Sequence, residues 1–552
     1  MILLKKLALT IAPFILVQSA AVCQQSHLSV SEDFKIAEKD YQGQTVTHSV
    51  FHNDFFYTAT NSGIGANYKW AFTKLYDLKY SVTVAKYDKN MGKVKEYLLE
   101  NGQQKYGPLV PQLLLLNNRL ALAYFQPDEN KTSFSFFIGL VDEQNLTLSN
   151  VQKLCTLQQP NVGVFKLESV VNGNLVSFAF SQDKNKTLIV CVAGAGLLKT
   201  YVVDNTLRIL KQSDLKTVTT GFKVSSAVLT QDNAECILMD SEEGIKVITN
   251  TPDKHKAETN LIVGGPLKPS NASLMASNDG KSIYICATGS DVLGEEKGCN
   301  GLLLYNLDCA TMHLSKPFIY GFTPEQIQSF CESGAGSKHR KNYSMFNFTP
   351  AMTELPNGTL VVLGCPQQVS SSTRTSAPNM DNNTHQTATT TLEVGPVMAF
   401  FPDKIGKNLD YALIPRRLEL SSYAQSGSGT IQIVQAPGIT HEYSGFVSVV
   451  LGDKIMVFYN DDPDNVSRGL DAKVLKADSP KDLALAEAMF GADKKLQYRK
   501  QIGNDLKGRS TYYLGNLAPT SSGLIVFPIA KQGVGFNARK TFYTNWCFLN
   551  FN

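Results

Sequence analysis

Two short apolar strands joined by a tight polar turn can be read in Leu274-Met-Ala-Ser-Asn-Asp-Gly-Lys-Ser-Ile-Tyr-Ile-Cys286. Asn, Asp and Gly tolerate the positive φ angles that tight hairpins need, and the β-branched and aromatic residues suit pleated, half-buried strands. The pattern recurs in eight copies along the chain, which begin at Thr47, Gln112, Phe178, Ala227, Leu274, Ala351, Val447 and Leu517. Such repetition indicates one architecture built from a single kind of unit.

Each hairpin is usually followed by a third apolar run, such as Leu197 to Val203, and often by a fourth, such as Leu409 to Ile414. Four antiparallel strands repeated around an axis form a β-propeller, whose closure leaves only short, protected edges. We therefore predict an all-β fold, a single β-propeller of eight four-stranded blades over residues 24–552. Seven blades, and a pair of β-sandwich domains, are the alternatives.

The two ends of the chain are expected to meet in the last blade. Thr541 to Phe551 reads as a third strand, so the last sheet needs one more. A strand from about Leu28 to Ala37 would supply it and remove the final open edge.

The turn Ser277-Asn-Asp-Gly-Lys281 resembles the Ser-x-Asp-Gly-Lys turn of TolB-like and related bacterial propellers. Ser181-Gln-Asp-Lys-Asn185 and Thr230-Gln-Asp-Asn233 are degenerate versions of it. The stretch Gly445 to Asn465 is similar to exported Gram-negative propeller-like proteins. This resemblance implies the fold and not an activity.

Export is predicted from the N-terminus, where Met1 to Val22 combines two lysines, an apolar stretch and small residues. This is the layout of a signal peptide, so residues 1–23 are assigned to it and the protein to the periplasm, cell surface or medium. Lipidation of Cys23 is the alternative, although Val22 stands where a smaller residue is usual. No later apolar run could cross a membrane, and a net charge of +4 on 552 residues favours no nucleic acid. A monomer is expected.

Nine cysteines follow Cys23, an odd number, so at least one is unpaired within the monomer. Cys191 and Cys286 lie in strand-like runs and are expected to be buried and reduced. The spacing of Cys299, Cys309 and Cys331 is compatible with one disulfide among these three in an oxidising compartment.

Three segments depart from the hairpin pattern. Thr323-Pro-Glu-Gln326 reads as the capped start of a short helix, and Ser479 to Phe490 as a second helix. Residues 367–391 are rich in Ser, Thr and Asn and are predicted to be a low-complexity loop insertion.

Sequence motifs of catalysis are missing, since there is no Gly-x-Ser-x-Gly elbow, His-Glu-x-x-His or P-loop. The turn Asn460 to Asn465 concentrates oxygen-bearing side chains, so Asp461, Asp462 and Asp464 are candidate Ca²⁺ ligands. An ordinary solvated turn uses the same residues and is the alternative.

Binding groups are expected where long segments join second to third strands or connect blades, because these emerge on one face of a propeller. Lys338-His-Arg-Lys341 could hold an anionic glycan or phosphate there, or be a solvated loop. The candidate binding residues on this face are Tyr68, Trp70, Lys338, His339, Arg340, His441, Glu442 and Arg468.

Two functions remain open from the sequence. The favoured one is an exported, non-catalytic binding or scaffold protein with a protein or glycan ligand on the long-loop face. The alternative is a glycan-active hydrolase or lyase whose carboxylates converge from different blades at the axial mouth.

Overall fold

The computed structural model describes twenty-four segments of the chain. They are residues 26–30, 34–35, 45–62, 81–88, 92–99, 108–128, 133–158, 175–194, 196–219, 221–253, 256–261, 265, 267–291, 298–332, 348–375, 386–404, 406–427, 430–432, 445–468, 474–477, 483–502, 510–512, 525–531 and 543–551.

The first half of the chain forms four sheets in succession, after β1 (Ser26–Val30) and β2 (Phe34–Lys35). Blade 1 holds β3 (Thr45–His52), β4 (Phe55–Ser62), β5 (Ser81–Tyr87) and β6 (Lys93–Leu99). Blade 2 holds β7 (Leu109–Leu116), β8 (Arg119–Pro127), β9 (Ser133–Val141) and β10 (Leu148–Gln158). Blade 3 holds β11 (Val176–Phe180), β12 (Lys186–Gly194), β13 (Leu197–Asp204) and β14 (Ile209–Lys216). Blade 4 holds β15 (Lys223–Leu229), β16 (Glu235–Ser241), β17 (Gly244–Asn250) and β18 (Lys256–Asn260).

Blades 5 and 6 are joined by helix α1 (Pro324–Glu332). Blade 5 holds β19 (Leu267–Ala276), β20 (Ser282–Asp291), β21 (Gly301–Asp308) and β22 (Phe318–Gly321). Blade 6 begins with β23 (Ala351–Glu354) and β24 (Leu360–Gly364). The chain then leaves it for β25 (Gln367–Thr375) and β26 (Gln386–Val394) and returns for β27 (Val397–Pro402) and β28 (Leu409–Ile414). β25 and β26 pair with β29 (Leu418–Gly427) and β30 (Thr430–Gln432) in a separate sheet, in the order β25-β26-β29-β30, which we call the extension sheet.

The remaining strands complete the fold. Blade 7 holds β31 (Phe446–Leu451), β32 (Lys454–Asp461), β33 (Ala484–Phe490) and β34 (Leu496–Gln501), with helix α2 (Pro463–Ser467) after β32. Blade 8 holds β35 (Ser510–Tyr512), β36 (Ile525–Lys531) and β37 (Tyr543–Phe551). β1 and β2 add to β37, from Ser26 opposite Phe551 to Val30 opposite Cys547. The eight-bladed propeller and its closure by an N-terminal strand are confirmed.

Apolar side chains fill the space between successive blades, from the pair of blades 1 and 2 to the pair of blades 6 and 7. Between blades 6 and 7, Leu363 and Phe401 belong to one buried cluster with Val457, Tyr459 and Ala488. This face-to-face packing stabilises the propeller, because each sheet buries both of its faces against the neighbouring blades.

The turns between first and second strands and between third and fourth strands share one face, here called the tight-turn face. Asn53 and Asp54 have φ of 49° and 63°, and Asn117 and Asn118 have φ of 41° and 62°, the left-handed conformation of two-residue hairpins. The opposite face, the long-loop face, receives the connections between second and third strands and between blades.

The Ser-x-Asp turn of blade 5 is held by its own side chains. Ser277 Oγ donates to Asp279 Oδ1 at 2.7 Å and accepts from Ser282 N at 3.0 Å, and Gly280 supplies a φ of 69°. The hydrogen bond from Ser277 is the main cause that lowers the pKa of Asp279. The same network is formed in blade 3 by Ser181, whose Oγ donates to Asp183 at 2.6 Å.

The helix predicted at Thr323 is confirmed as α1, with the reciprocal bonds of a capping box. Gln326 N donates to Thr323 Oγ1 at 3.2 Å, and Thr323 N donates to Gln326 Oε1 at 2.8 Å. The helix predicted over Ser479 to Phe490 is wrong, because Ala484–Phe490 is β33, paired with β32 on one side and β34 on the other.

The low-complexity loop predicted at residues 367–391 is also corrected, because β25 and the first part of β26 lie there and pair from Gln367 opposite Val394 to Thr375 opposite Gln386. Leu418–Gly427, within and just before a segment (Glu419 to Tyr443) that the hairpin pattern leaves between blades, forms β29 in the same sheet. The eighth predicted hairpin differs at its first strand, which is β35 at Ser510–Tyr512, while residues 517–524 lie outside the described residues.

Cys191 and Cys286 are free thiols with 0% and 1% exposure, as predicted. Cys299 and Cys309 are free as well, so no disulfide joins these two, and the side chain of Cys331 is outside the described part. Among the described residues, no helix has the length and apolar character that crossing a bilayer requires.

Candidate functional site

Most of the predicted binding residues lie outside the described residues. These are Tyr68, Trp70, Lys338, His339, Arg340, His441 and Glu442, and their assignment to the long-loop face stays a prediction. Arg468 is described and exposed directly after α2. Its carbonyl accepts a hydrogen bond from Arg499 Nη2 at 2.9 Å, which links α2 to the last strand of blade 7.

The three predicted calcium ligands stand at the junction of β32 and α2. Asp462 is the N-cap of α2, and its carboxylate accepts from Asp464 N at 2.9 Å, while Asp464 is in the first turn of the helix. A carboxylate at a helix N-terminus satisfies amide donors that have no partner within the helix. In the described ranges, no group of three or more His, Cys, Asp or Glu is arranged to hold a metal ion. The calcium site stays a prediction.

Asp461 differs from its two neighbours because it is fully buried, with 0% exposure. Its Oδ1 accepts two hydrogen bonds, from Asp462 N at 2.8 Å and from Asn465 Nδ2 at 3.0 Å. Its Oδ2 is buried without a hydrogen-bond partner. Burial raises the pKa of Asp461 to about 7, against the opposing effects of Asn465 and Arg416. The carboxyl therefore changes its protonation near neutral pH.

Arg416 is the largest fully buried side chain of the described structure, and it lies where β28 passes into the extension sheet. Its Nη1 donates to Gly445 O at 3.1 Å and to Asn460 O at 3.3 Å, directly before Asp461. Its Nη2 donates to Cys365 Sγ at 2.8 Å. The guanidinium thus joins blade 6, the entry into blade 7 and the strand that carries Asp461.

Tyr459 lies two residues before Asp461, so both side chains extend from the same side of β32. The tyrosine has 0% exposure, and its hydroxyl oxygen is buried with no hydrogen-bond partner. The guanidinium carbon of Arg416 is 5.9 Å from the centre of its ring. Burial raises the pKa of Tyr459, and the charge of Asp461 adds to this effect.

Asn465 connects Asp461 to the root of the extension sheet. Its side chain donates to Leu475 O at 2.8 Å and accepts from Leu475 N at 2.6 Å. Two residues on, Ala477 forms a parallel bridge with Leu418, the first residue of β29. Asp461 is therefore held in a hydrogen-bonded frame that blades 6 and 7 share, at their long-loop ends.

A second polar cluster lies between blades 1 and 2 on the tight-turn face. His52 Nε2 is 3.2 Å from Glu143 Oε1, and Tyr57 OH donates to Glu143 Oε2 at 3.0 Å. Lys86 Nζ donates to the carbonyl of Glu143 at 2.9 Å. Each of these side chains has a protein partner, so the cluster serves to join the two blades.

Sequence reasoning named Asp461 but missed Arg416, Tyr459 and Cys365. Arg416 follows a strand as one of two adjacent arginines, which gives no sign of burial. Tyr459 reads as an ordinary strand residue. The missing information is the pairing of two blades, which brings Arg416 beside a strand that begins 38 residues later, at Lys454.

No family model matches this chain, and no curated protein matches it. Solved structures do resemble it. A putative 6-phosphogluconolactonase from Bacteroides fragilis is 13% identical over 66% of this chain and 82% of its own, with a TM-score of 0.32. A post-proline cleaving enzyme from Rickettsia typhi is 10% identical over 91% of this chain and 59% of its own, with a TM-score of 0.36. The Pyrococcus horikoshii acylaminoacyl peptidase is 8% identical over 91% of this chain and 60% of its own, with a TM-score of 0.32.

At these values the likeness concerns the fold and identifies no substrate. The three proteins are nevertheless all named as hydrolytic enzymes. On this finding the expected non-catalytic binding or scaffold function is wrong. The glycan-active alternative is corrected together with it.

Proposed function

We propose that the protein is a hydrolase in which Asp461, at the long-loop end of the interface between blades 6 and 7, is the acid–base group. The observation that carries the proposal is a single carboxyl that is fully buried, has one oxygen without a partner and has its pKa raised to about 7. A general acid or base works best when its pKa is close to the working pH. Burial that produces such a value is typical of functional sites.

The hydrogen bonds of Asp461 determine which oxygen takes part. Oδ1 accepts from two donors, so the exchangeable proton resides on Oδ2. In hydrolysis, water and the substrate have to reach Oδ2, which is buried in this structure. The ionised Oδ2 then takes a proton from water as the water oxygen bonds to the electrophilic atom of the substrate. The protonated Oδ2 then returns this proton to the leaving group as the scissile bond breaks. Water is consumed, and the carboxylate is regenerated.

Arg416 acts on this reaction through position and charge. It binds the carbonyl of Asn460 and so holds the backbone directly before Asp461. Its positive charge opposes the effect of burial and keeps the pKa of the carboxyl from rising further. Its own donors are directed at backbone carbonyls and at Cys365, so it is a positioning residue.

The proposed enzyme is exported. The support is the signal-peptide layout of Met1 to Val22, a segment that lies outside the described residues. N-terminal sequencing of the protein from its native source tests this directly. A mature N-terminus close to Cys23 is expected, and an intact Met1 would contradict export.

The activity is tested with Asp461→Asn, which keeps the shape of the side chain but cannot carry a proton on Oδ2. The purified protein is assayed against chromogenic esters, a lactone and fluorogenic peptides between pH 5 and pH 9. We expect the rate of the wild type to rise with an apparent pKa of about 7, and the variant to lose about 10²-fold or more of it. Asp464→Asn is the matched control because it removes a carboxylate three residues away in the same turn of chain. Equal rates in the wild type and Asp461→Asn would refute the assignment, and no hydrolysis of any substrate would refute the proposed function.

A further inference from the structure

Three strands of blade 6 continue beyond the blade into the extension sheet. β24 ends at Gly364 and β25 begins at Gln367, β26 ends at Val394 and β27 begins at Val397, and β28 ends at Ile414 and β29 begins at Leu418. The order β24-β27-β28 of the blade is therefore repeated as β25-β26-β29 in the extension sheet. The innermost strand of the blade, β23, has no counterpart in the extension sheet among the described residues.

β25 is therefore an edge strand of the extension sheet. It pairs with β26 over its whole length, and it has no second partner strand in the described part of the chain. The opposite edge is covered in part, because β30 pairs with the end of β29 and Ala477 with its beginning. A strand edge presents a row of amide and carbonyl groups to any extended chain that approaches it.

The sequence of β25 does not protect this edge. Natural edge strands avoid pairing by being short or by carrying charges and prolines. β25 has nine residues, Gln-Gln-Val-Ser-Ser-Ser-Thr-Arg-Thr, with one charge at Arg374 and no proline. The residue types are polar but compatible with strands, so the edge can be hydrated and still accept a further strand.

The position of the edge follows from blade 6. β24 runs from the tight-turn face to the long-loop face, so β25 lies beyond the long-loop end of the blade. In strand order, the open edge of β25 corresponds to the side of β24 on which β23 lies.

We propose that the edge of β25 from Val369 to Thr375 binds an extended polypeptide by antiparallel strand addition. Main-chain hydrogen bonds supply the affinity in this mode, and the side chains of the peptide are read only in part. The root of the extension sheet is joined through Arg416 to the strand of Asp461. The substrate of the proposed hydrolase would then be this polypeptide; that step rests on the proposed function, whereas the binding does not.

The probe is a fluorescein-labelled ten-residue peptide of alternating threonine and lysine, and binding is measured by fluorescence anisotropy. We expect saturable binding to the wild type. The control peptide has two internal prolines at positions of opposite parity, which removes amide donors from both of its edges, and should bind at least tenfold more weakly. Equal binding of the two peptides would overturn strand addition.

The edge itself is tested with Ser371→Pro and Ser372→Pro. Successive amides of a strand point alternately to its two sides, so one proline faces β26 and the other faces the open edge. We expect the proline that faces β26 to lower the melting temperature. The proline that faces the open edge should leave the melting temperature unchanged and weaken peptide binding at least tenfold. Unchanged binding in both variants would overturn the proposal.

Hydrogen exchange of the wild type gives a result that does not depend on how the variants fold. Peptide should slow exchange of alternate amides between Val369 and Thr375. If all amides of this segment are already protected in the free protein, another part of the chain occupies the edge, and the proposal is wrong. Asp461→Asn should bind the peptide like the wild type. Wild-type binding without hydrolysis would refute the proposed function and leave the binding site standing.

Discussion

The buried carboxyl of Asp461 should make the stability of the protein depend on pH in a way that one substitution removes. Its pKa is raised from 3.8 to about 7 in the folded state. The folded state therefore binds the proton more tightly than the unfolded state, so the stabilisation is fully present below pH 4 and is lost as the pH rises to 7. A difference of about 3 pKa units at about 1.4 kcal/mol each corresponds to about 4 kcal/mol.

Asp461→Asn has no titrating group at this position, so its unfolding free energy should not fall as the wild type's does. The difference between the variant and the wild type should therefore grow by about 4 kcal/mol from pH 4 to pH 8, in favour of the variant. With an unfolding entropy of about 2.1 cal/mol/K per residue, this corresponds to a relative gain of about 3–4 °C in melting temperature for a chain of this length. Differential scanning calorimetry at intervals between pH 4 and pH 8 measures it. Asp464→Asn, in which the lost carboxylate is exposed, should show no such gain. Parallel curves for the wild type and Asp461→Asn would refute the reasoning.

Three further predictions concern the fold. Deletion of Ser26–Lys35 removes the strands that complete blade 8, and a calorimetric scan should show a melting temperature lower by several degrees; an unchanged value would reject the closure. Cys191 and Cys286 are buried, and burial raises the pKa of both thiols, so iodoacetamide followed by mass mapping should modify them only after denaturant is added. Gly280→Ala places a Cβ at a φ of 69°, so urea unfolding should show a loss of about 1 kcal/mol or more. Gly358→Ala, at a φ of 81°, should cost a similar amount because the same backbone strain applies.

The blades could be predicted because their signals are local. A turn such as Ser277 to Lys281 contains in five residues the side chains that close it, and the flanking strands show their period within a few residues more. Eight such units define a propeller almost by counting. The closure by β1 followed from the same count, since the last blade was one strand short.

The errors arose where distant strands override local preference. Ala484–Phe490 has the sequence Ala-Leu-Ala-Glu-Ala-Met-Phe, which favours a helix, yet it lies in the interior of blade 7 between β32 and β34. Its tertiary pairing outweighs a propensity of a few tenths of a kcal/mol per residue. The Ser- and Thr-rich composition of residues 367–391 predicts a loop, although threonine is compatible with strands and the neighbouring strands of blade 6 extend into it.

The candidate site was predicted only in its local part. The oxygen-rich turn around Asp461 marks it as a candidate in the sequence, but the chemistry that this turn predicts is calcium binding. What distinguishes Asp461 from Asp462 and Asp464 is burial between two blades and the charge of Arg416. Neither property belongs to the turn itself, so no reading of residues 460–465 alone could have found it.

The pairing of β1 with β37 has a consequence for how the chain assembles during its synthesis. β1 leaves the ribosome about five hundred residues before its partner strand, at residues 543–551. Blades 1 to 7 can pair their own strands as they emerge, whereas the ring cannot shut until about five hundred further residues have followed β1. Until then the N-terminal strand has no partner and is open to chaperones, to proteases or to another chain. A ribosome stalled before residue 543 would hold an open ring, so time-resolved proteolysis of stalled chains should find residues 26–30 cleavable until the last strand is released.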